Sequence, residues 1–453
     1  MTILSQGPTL IRSKGDPVSV LYPILAALFV LAASIGLGVN PVMTLLLATL
    51  TALGVRSNVQ IVNGTKYLQP YLMFLGLKLV ILVYQIHFRN LPLSGVDWQF
   101  YDRFGTQLAL DSGGDLFIIL TNAEWDLFTR LTASVYALFG GGSEQMYFLV
   151  FVTSLATFTY IYRAGRILTG ELGGVRAAML FMVWPHEIVM SVTFLREMPI
   201  QLLVAASLYQ FLRFWNTRRI APLLLALALS LAATLMHSGM IVLPIAFAYL
   251  AIRNHRVGGI QLVRTALFIA AMLVLLRTPL AEPLLSKFDS LTDVGDLLQP
   301  GQGPDVATME ATTFYLDPAA SDVPLYQLPS RMVLFALSPL PWQATSLGTA
   351  ISVLIEGLPR LGLVAMLLLS YPRCRSGKPQ SDVLIAGLLL SILAGYIIFS
   401  LGVSTYGSAI RHRAKFFPIE IVLAYAAFAA GPVRRAGAPL FSRRSSNVQA
   451  ARR

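Results

Sequence analysis

The chain has 453 residues, of which 56% are hydrophobic and only 12% are charged. A soluble protein of this length carries roughly a quarter charged residues, so the composition excludes an ordinary soluble domain and predicts an integral membrane protein. The net charge of +12 is high enough for a nucleic-acid-binding protein. Most of the surplus, however, lies in short segments between apolar runs, where it is typical of membrane orientation. The single cysteine, Cys374, excludes a disulfide within the chain.

Hydrophobic windows predict a polytopic all-α bundle. A helix needs about 20 mostly apolar residues to cross the hydrocarbon core of a bilayer. The first candidate follows the polar segment IRSKGDP and is too long for the apolar region of a signal peptide, so we expect a retained anchor. Two candidates, 41–56 and 238–252, are short, and we expect them to be tilted or re-entrant. The twelve predicted spans are 18–38, 41–56, 66–87, 145–162, 174–194, 198–215, 219–236, 238–252, 262–279, 347–371, 382–403 and 414–431.

Lysine and arginine in the short loops predict the orientation of the bundle. The basic loops fall on one side, which is therefore expected to be the cytoplasm, and both termini are expected there. Residues 1–432 are predicted to form a single transmembrane domain, and 433–453 a basic, disordered cytoplasmic tail. Segments 88–144 and 281–346 are then extracytoplasmic, and the second carries eight acids against two bases.

The first extracytoplasmic segment, 88–144, contains an amphipathic pattern. Its apolar residues recur at helical spacing, which predicts a periplasmic amphipathic helix lying on the membrane surface. These residues are Trp125, Phe128, Leu131, Val135 and Leu138.

The stretch TFLREMPI at 193–200 places Arg196 beside Glu197 inside an otherwise apolar run from Gly174 to Trp215. At about 1.5 Å per residue this run is long enough for two spans, so the pair is expected at an outer hinge between them. Two interpretations stay open: an ordinary interfacial ion pair, or part of a site. His186 and Glu187 lie below this hinge, where ionisable groups are functional candidates unless they only satisfy each other.

The other unusual polar residues also fall on the predicted outer face. Arginines on that face run against the usual bias, so Arg411 and Arg413 are expected to bind an anion or to pair with an acid. His237 is equally consistent with a cap between two short helices, and the aspartates with a solvated loop. The candidate site residues are Asp97, Tyr101, Asp102, Arg196, Glu197, His237, Arg331, Trp342, Arg411, His412 and Arg413.

Several motifs are absent from the sequence: a P-loop, an HExxH helix, a cysteine cluster and a GxSxG elbow. Without a soluble nucleotide-binding domain, ATP-driven transport is not expected. An anionic, lipid-linked sugar donor requires arginines at the headgroup level, because guanidinium binds phosphate oxygens bidentately. Glycosyl transfer to a hydroxyl also requires a carboxylate that accepts the proton. The candidate residues are of these types.

Three stretches resemble the GT-C superfamily of polytopic glycosyltransferases. DWQFYDRFGTQLA at 97–109 is similar to an acidic first outer loop, and LFTRLTASVYALFG with the following RILTGELGGVRAAMLFMVWPHEIVMSVTFLREMPIQLLVAASLYQFLRF to the core helices. LSPLPWQ, Glu356 and RHRAKFFPIEIVLAYAAF are similar to the late helices. The resemblance implies a GT-C-like fold and an enzyme that uses a polyprenyl-(di)phosphate-linked sugar at the outer face of a bacterial inner membrane, in cell-surface or exopolysaccharide synthesis.

Two alternatives remain. EpsG-like and Wzy-type polysaccharide polymerases are similar at GVDWQFY, LREMPIQLL and LMHSGMIVLP, although Glu197 replaces the glutamine often found after that arginine. The other alternative is a secondary transporter or flippase for a lipid-linked or anionic substrate. Transporters usually show repeated halves with binding residues near the midplane. The sequence shows no such repeat, which favours the enzyme.

Carried over residue by residue, the resemblance implies three catalytic candidates: Asp97 as the base, Asp102 as its support or a metal ligand, and Glu197 as the group that orients Arg196. It further implies Arg196, Arg411 and Arg413 as ligands of the donor phosphate. The metal stays open, because some GT-C enzymes need a divalent cation such as magnesium or manganese and others do not. The implied partners are the lipid-linked donor, a glycan or lipid-linked acceptor and other polysaccharide-assembly proteins, with no nucleic acid. Tyr101, His237, Arg331, Trp342 and His412 complete the substrate-binding candidates.

Overall fold

The structure is a computed structural model that describes residues 17–89, 91, 97–140, 142–253, 328–344, 347–369, 379–401, 403 and 406–429. Every regular element within these residues is helical, which confirms the predicted all-α class. The predicted span 262–279, the tail 433–453 and most of the acidic segment 281–346 lie outside the described residues, and the expectations about them stay predictions.

The described residues form eighteen α-helices. Before the gap at 254–327 these are α1 (Val18–Gly36), α2 (Pro41–Val62), α3 (Leu68–Phe88), α4 (Asp97–Asp111), α5 (Leu116–Thr121), α6 (Leu127–Phe139), α7 (Ser143–Thr169), α8 (Glu171–Val183), α9 (Pro185–Met190), α10 (Glu197–Thr217), α11 (Ile220–Met236) and α12 (Val242–Arg253). After the gap come α13 (Leu328–Leu337), α14 (Leu347–Ser352), α15 (Leu358–Leu368), α16 (Pro379–Leu401), α17 (Tyr406–Ala414) and α18 (Phe417–Ala429). A π-helical turn, Val353–Gly357, joins α14 to α15.

Within the described residues, six helices are long and apolar enough to cross a membrane: Val18–Gly36, Pro41–Val62, Leu68–Phe88, Ser143–Thr169, Ala350–Leu368 and Asp382–Ser400. Shorter apolar helices coincide with three further predicted spans: Ile220–Met236, Ser238–Arg253 and Phe417–Ala426. The protein is therefore a polytopic membrane protein, as predicted. The count of about twelve spans stays a prediction.

Two predicted spans differ from the structure. The run 174–194 is not one helix, because α8 ends at Val183 and α9 begins at Pro185, with Trp184 extended between them at ψ 128°. Proline has no backbone N–H and disfavours a helical conformation in the residue before it, which explains the break. The run 41–56 is not short, because α2 continues to Val62 after an Asn40 side chain that caps its start.

The predicted amphipathic helix is present as α6, one residue after Asp126. The Asp126 carboxylate accepts hydrogen bonds from the backbone N–H groups of Phe128 and Thr129, which satisfies the free donors of the first turn. Phe128 and Thr132 face the protein, and α6 packs against α4 so closely that a side chain at Gly105 would overlap Thr132. Leu131 and Leu138 are exposed, as expected of a helix with a second apolar face toward a membrane.

The core lies where α7, α8, α10 and α18 pack together. Gly165 and Gly174 permit the closest approach, between α7 and α8: a Cβ at Gly174 would lie 2.5 Å from the Tyr162 carbonyl oxygen. Small residues at such a contact are typical of helix pairs in membranes. This packing holds α8 in place; α8 and α9 lead to the predicted outer hinge, and α10 begins after it.

Candidate active site

The segment 191–196 between α9 and α10 is the predicted hinge, and it lies at one end of the bundle. Arg196 precedes the first residue of α10, and its Nη1 donates a hydrogen bond to the carbonyl oxygen of Met236 at 3.1 Å. The α11 end at Met236 is thereby joined to the hinge. We call this the hinge end: the end of the bundle formed by 191–196, the turn at His237 and the adjoining ends of α4 and α17.

Three candidate residues from distant parts of the chain meet at the hinge end. The Arg411 Nη2 atom lies 2.5 Å from the Asp97 Oδ2 atom and 3.3 Å from the Glu197 Oε1 atom. Arg411 is in the last turn of α17, Asp97 opens α4 and Glu197 opens α10. The Glu197 side chain is only 2% exposed, whereas that of Asp97 is 43% exposed and that of Arg411 16%. Asp97 is therefore the carboxylate that a ligand can reach.

A fourth charge in this group, Lys415, was missed in the sequence. Its side chain is buried, and its Nζ atom lies 3.5 Å from the Glu197 Oε1 atom and 2.9 Å from the His412 Nδ1 atom. Lys415 follows Arg411 by four residues, which is the spacing of neighbours on one face of a helix. This spacing is the signal for Lys415 in the sequence. The hinge-end cluster consists of Asp97, Arg196, Glu197, Arg411 and Lys415.

Electrostatics keep Arg411 charged within this cluster. Burial lowers the pKa of the Arg411 guanidinium, but the carboxylates of Glu197 and Asp97 raise it by a larger amount. The net pKa is therefore above the ordinary value for arginine. Arginine is in any case not deprotonated in proteins. A permanent cation of planar shape is the group best suited to a phosphate oxygen pair.

Arg196 completes the cluster beside the amphipathic helices. Its Nη1 atom lies 3.7 Å from the Asp126 Oδ2 atom, and its guanidinium lies 5.8 Å from the centre of the Tyr101 ring. Burial raises the pKa of the Tyr101 phenol despite the nearby Arg196, so the ring is neutral and packs against Phe128. Asp126 is not among the candidate residues from the sequence. Its position before an apolar helix predicts an N-cap and gives no sign of the contact with Arg196.

Asp102 lies one turn further along α4 and has a different neighbour. The Tyr136 hydroxyl on α6 donates a hydrogen bond to the Asp102 Oδ1 atom at 2.6 Å. Burial raises the pKa of the Tyr136 phenol and the Asp102 carboxylate raises it further, so the phenol keeps its proton and donates. The structure thus joins Asp102 to the α4–α6 contact, not to Arg411.

The two candidate histidines meet on the other side of Arg411. The rings of His237 and His412 lie 5.0 Å apart, and both lie 4.9 Å from the Phe399 ring. This aromatic group closes the hinge end between α11, α16 and α17.

Three other candidates lie elsewhere. Arg413 is fully buried and points away from Arg411, because residues two apart on a helix lie about 200° apart around its axis. Arg331 is buried on α13, and Trp342 is 75% exposed in the short turn Pro341–Gln343. The structure brings none of the three into contact with Asp97 or Arg411 through an interaction among those it describes.

Beneath the hinge-end cluster lies a second group of charges, the interior network, formed by His186, Glu187, Glu356 and Arg413. The His186 Nδ1 atom lies 2.8 Å from Glu356 Oε2, and its Nε2 atom lies 2.7 Å from Glu187 Oε1. The Arg413 Nη2 atom donates to Glu356 Oε1 at 2.9 Å. All four side chains are almost completely buried.

A neighbouring buried group pairs Arg360 on α15 with Glu420 on α18 and with the Tyr396 hydroxyl on α16. The Arg360 Nε atom also donates to the Ala336 carbonyl oxygen at 3.0 Å, and Arg413 Nη1 donates to that of Phe335 at 3.1 Å. The last carbonyls of a helix have no partner within it, so these two arginines cap the end of α13. Charged residues inside the predicted spans 347–371 and 414–431 were the signal for this group in the sequence.

A cavity of about 250 Å³ also opens at the hinge end, between the α1–α2 turn and the start of α7. Glu144 lines it and accepts a hydrogen bond from Arg89 Nη2 at 2.8 Å. The Arg89 guanidinium lies 4.5 Å from the centre of the Trp98 ring, next to Asp97 in sequence. None of the residues that line the cavity belongs to the hinge-end cluster.

The question of a divalent cation stays open. Within the described ranges no three His, Cys, Asp or Glu side chains are grouped as metal ligands would be. In the hinge-end cluster, Asp97 and Glu197 both point at the Arg411 guanidinium, which occupies the position between them. This pairing leaves the two carboxylates no shared position for a metal ion.

Comparison with known proteins adds one match. No curated protein and no solved structure matches the chain. The profile of the family described as dolichyl-phosphate-mannose-protein mannosyltransferase matches residues 127–281, a range that contains the hinge with Arg196 and Glu197. That family is a GT-C membrane glycosyltransferase family, and the predicted resemblance is confirmed. The matched range, 155 of the 453 residues, is thus similar to membrane glycosyltransferases that take their sugar from a polyprenyl-phosphate-linked donor.

Proposed function

We propose that the chain transfers a hexose to a hydroxyl group at the hinge end, and that this end faces the outside of a bacterial inner membrane. Mannose is the sugar named for the matched family, and we propose it as the first donor sugar to test. The acceptor is a glycan or lipid-linked hydroxyl in cell-surface or exopolysaccharide synthesis. About twelve spans with both termini in the cytoplasm complete this proposal, supported by the positions of lysine and arginine in the loops.

The observation that carries the proposal is the Asp97–Arg411–Glu197 contact. It places a permanently charged guanidinium within hydrogen-bond distance of a reachable carboxylate and of a buried anchoring carboxylate. Asp97 on α4 and Arg411 on α17 are 314 residues apart, so no local requirement of either helix explains their meeting.

The reaction assigns a role to each of these groups. The acceptor oxygen forms a bond to the anomeric carbon, while the bond from that carbon to the phosphate oxygen breaks. The phosphate leaves with the bonding electrons and changes from a diester with one negative charge to a monoester with two. Arg411, with Arg196 beside it, stabilises the charge that develops on the phosphate. Asp97 accepts the proton of the acceptor hydroxyl.

Glu197 is better placed to hold Arg411 than to take part in proton transfer. It is buried, and both Arg411 and Lys415 lie within 3.5 Å of its Oε1 atom. When a donor phosphate engages Arg411, Glu197 keeps the guanidinium in place while Asp97 is released toward the acceptor. The proposed base is thus freed by the arrival of the donor.

A transfer assay tests this proposal. The full chain in lipid nanodiscs receives radiolabelled polyprenyl-phosphate-mannose and a lipid extract from bacterial membranes as the acceptor source. General-base catalysis contributes typically about 10²–10⁴-fold, so we expect Asp97→Asn to slow transfer by that factor. Asp102→Asn is the matched control on the same helix and should retain most of the activity. Wild-type transfer by Asp97→Asn would refute the assignment.

The proposed orientation is tested separately with an impermeant thiol reagent on intact cells. Glu310→Cys in the predicted outer segment should be labelled without permeabilisation. The native Cys374, in a predicted cytoplasmic loop, is the internal control and should be labelled only after the cells are permeabilised. The reverse pattern would refute the orientation, and with it an outward-facing hinge end.

A further inference from the structure

Glu356 lies below the hinge-end cluster and contacts two different parts of the fold. Its Oε1 atom accepts a hydrogen bond from Arg413 on α17 at 2.9 Å. Its Oε2 atom accepts one from Trp184 Nε1 at 2.9 Å and lies 2.8 Å from His186 Nδ1, at the break between α8 and α9. One carboxylate therefore joins the helix of Arg411 to the segment that leads into the hinge.

On the α9 side, the connection continues to the start of α10. Carboxylate oxygens only accept hydrogen bonds, so both ring nitrogens of His186 donate, one to Glu356 and one to Glu187. The Glu187 Oε1 atom also accepts a hydrogen bond from Gln201 Nε2 at 2.8 Å. Gln201 follows Glu197 by four residues on α10 and so lies on the same face, one turn below it.

On the α17 side, the connection ends next to Arg411. Arg413 is two residues further along the same helix, and its Nη1 atom also donates to the Phe335 carbonyl oxygen at 3.1 Å. Helices move as rigid units, so a shift of α17 that breaks the Arg413–Glu356 contact also moves Arg411. The position of Arg411 is therefore coupled to that of Glu356.

The backbone conformation at Glu356 is also unusual. Glu356 lies in the π-helical turn Val353–Gly357, between two α-helical segments. Such single π turns occur frequently at functional sites, because the extra residue redirects a side chain. The next residue, Gly357, packs so closely on Pro339 that any Cβ there would overlap the Pro339 carbonyl oxygen.

We propose that Glu356 is a positioning residue for the transfer reaction: it holds the Arg411 helix and the Arg196–Glu197 hinge in a fixed relation from beneath. The proposal rests on the proposed role of Arg411. A displacement of about 1 Å at a catalytic group can reduce a rate about 10²-fold, so loss of this link is expected to lower turnover strongly.

Two substitutions separate this role from a general loss of stability. In Glu356→Gln, one amide oxygen can serve either Arg413 or the Trp184–His186 pair, but not both. Glu356→Asp keeps the charge that neutralises its buried neighbours, but its shorter side chain cannot reach both sides. Glu420→Asp is the matched control, because Glu420 is equally buried and pairs with Arg360 and Tyr396, neither of which is on α17.

The experiment measures transfer from radiolabelled polyprenyl-phosphate-mannose, per molecule of folded protein recovered in detergent, in both the wild-type and the Arg411→Lys background. We expect Glu356→Asp to lower kcat at least 10-fold in the wild-type background, with a smaller change in the KM for donor. In the Arg411→Lys background, Glu356→Asp should lower kcat by a much smaller factor, because the effects of two mutations at coupled residues are not additive. Glu420→Asp should have the same effect on kcat in both backgrounds.

The outcomes are distinct. Equal losses from Glu356→Asp in the two backgrounds, or no loss in either, would overturn the positioning role. Failure to recover folded Glu356→Asp would make Glu356 a purely structural residue and would overturn it as well. Full activity of Arg411→Ala would refute the proposed function itself, independently of any result at Glu356.

Discussion

The hinge-end cluster and the interior network are built from the same residue types but are arranged for opposite purposes. In the hinge-end cluster, Asp97 and Arg196 are partly exposed, so polar groups of a ligand can reach them. In the interior network, the side chains of Glu187 and Arg413 are fully buried, and each ionic group is matched by a neighbour within 3 Å. The first group is therefore open to a ligand, whereas the second is closed off from one by its burial.

This contrast predicts which property each region controls. Removing one partner of a buried ion pair leaves an uncompensated charge and typically costs about 3–5 kcal/mol of stability. Ion pairs near the surface are worth about 1 kcal/mol or less. Removing a charge from the buried groups should therefore reduce stability, whereas changing Asp97 or Arg411 should reduce activity with little effect on folding.

The largest expected effect is on stability, at the buried Arg360–Glu420 pair. Glu420→Gln should destabilise the protein by about 3–5 kcal/mol, because Arg360 keeps its charge without a counterion. Thermal unfolding of the purified protein in detergent measures this. The matched change Asp97→Asn, at a carboxylate that is 43% exposed, leaves Arg411 paired with Glu197 and should be milder. Equal stability of wild type and Glu420→Gln would break the comparison between the two regions.

The next effect concerns activity alone. Arg411→Lys keeps the charge but loses the planar fork that binds two phosphate oxygens. A hydrogen bond to a charged group is worth about 1.5–3 kcal/mol, so we expect donor use to fall roughly 10–100-fold, with unfolding temperature nearly unchanged. Steady-state kinetics on the donor give the first value and thermal unfolding the second. A large loss of stability with normal kinetics would assign Arg411 to the scaffold.

A change remote from both regions sets a baseline. Gly174→Ala forces a methyl group against the Tyr162 carbonyl oxygen and should separate α7 from α8, at a cost of about 1–3 kcal/mol. Transfer per folded molecule should stay at the wild-type level, because the contact lies far along α8 from the hinge. Gly36→Ala, where a methyl group meets open space, is the control and should have little effect on stability. Loss of specific activity in Gly174→Ala would show that packing strain reaches the hinge end.

The smallest effect concerns Asp102. Tyr136→Phe removes the hydroxyl that donates to Asp102 and should cost about 1 kcal/mol, the typical net value of one hydrogen bond. Activity per folded molecule should hardly change, since Asp102 contacts α6 and not Arg411. A loss of more than about 10-fold in turnover would instead place Asp102 in the chemistry. Thermal unfolding and transfer rate together decide between the two.

How much of this was predictable depends on how far apart the interacting residues lie. The hinge and Arg411 could be predicted, because these charges contradict their apolar or outward-facing surroundings, whereas Asp97 was implied only by the family resemblance. That Asp97 contacts Arg411 could not, since the contact depends on how α4 and α17 pack across 314 residues of chain. The same holds for the Glu356–Arg413 pair within the interior network.

Other differences have local causes. The sequence groups Arg413 with Arg411, because both lie between the predicted spans 382–403 and 414–431, where no helix is predicted and the direction of a side chain is undefined. Once α17 is known to be helical over Tyr406–Ala414, the two arginines must point to opposite sides. Arg360 and Glu420 are not among the sequence candidates, because the hydropathy of their spans stays high despite two charged residues in each, although a charge inside a span is itself a signal.

The most direct test of the central claim is equilibrium binding of polyprenyl phosphate to the full chain in nanodiscs. We expect Arg411→Ala to weaken the binding of polyprenyl phosphate at least 10-fold, because charge-assisted hydrogen bonds to the phosphate are lost. We also expect Asp97→Asn to bind at least as tightly as wild type, because Asp97 competes with the phosphate for the Arg411 guanidinium at 2.5 Å. Unchanged binding by Arg411→Ala, or clearly weaker binding by Asp97→Asn, would contradict the account.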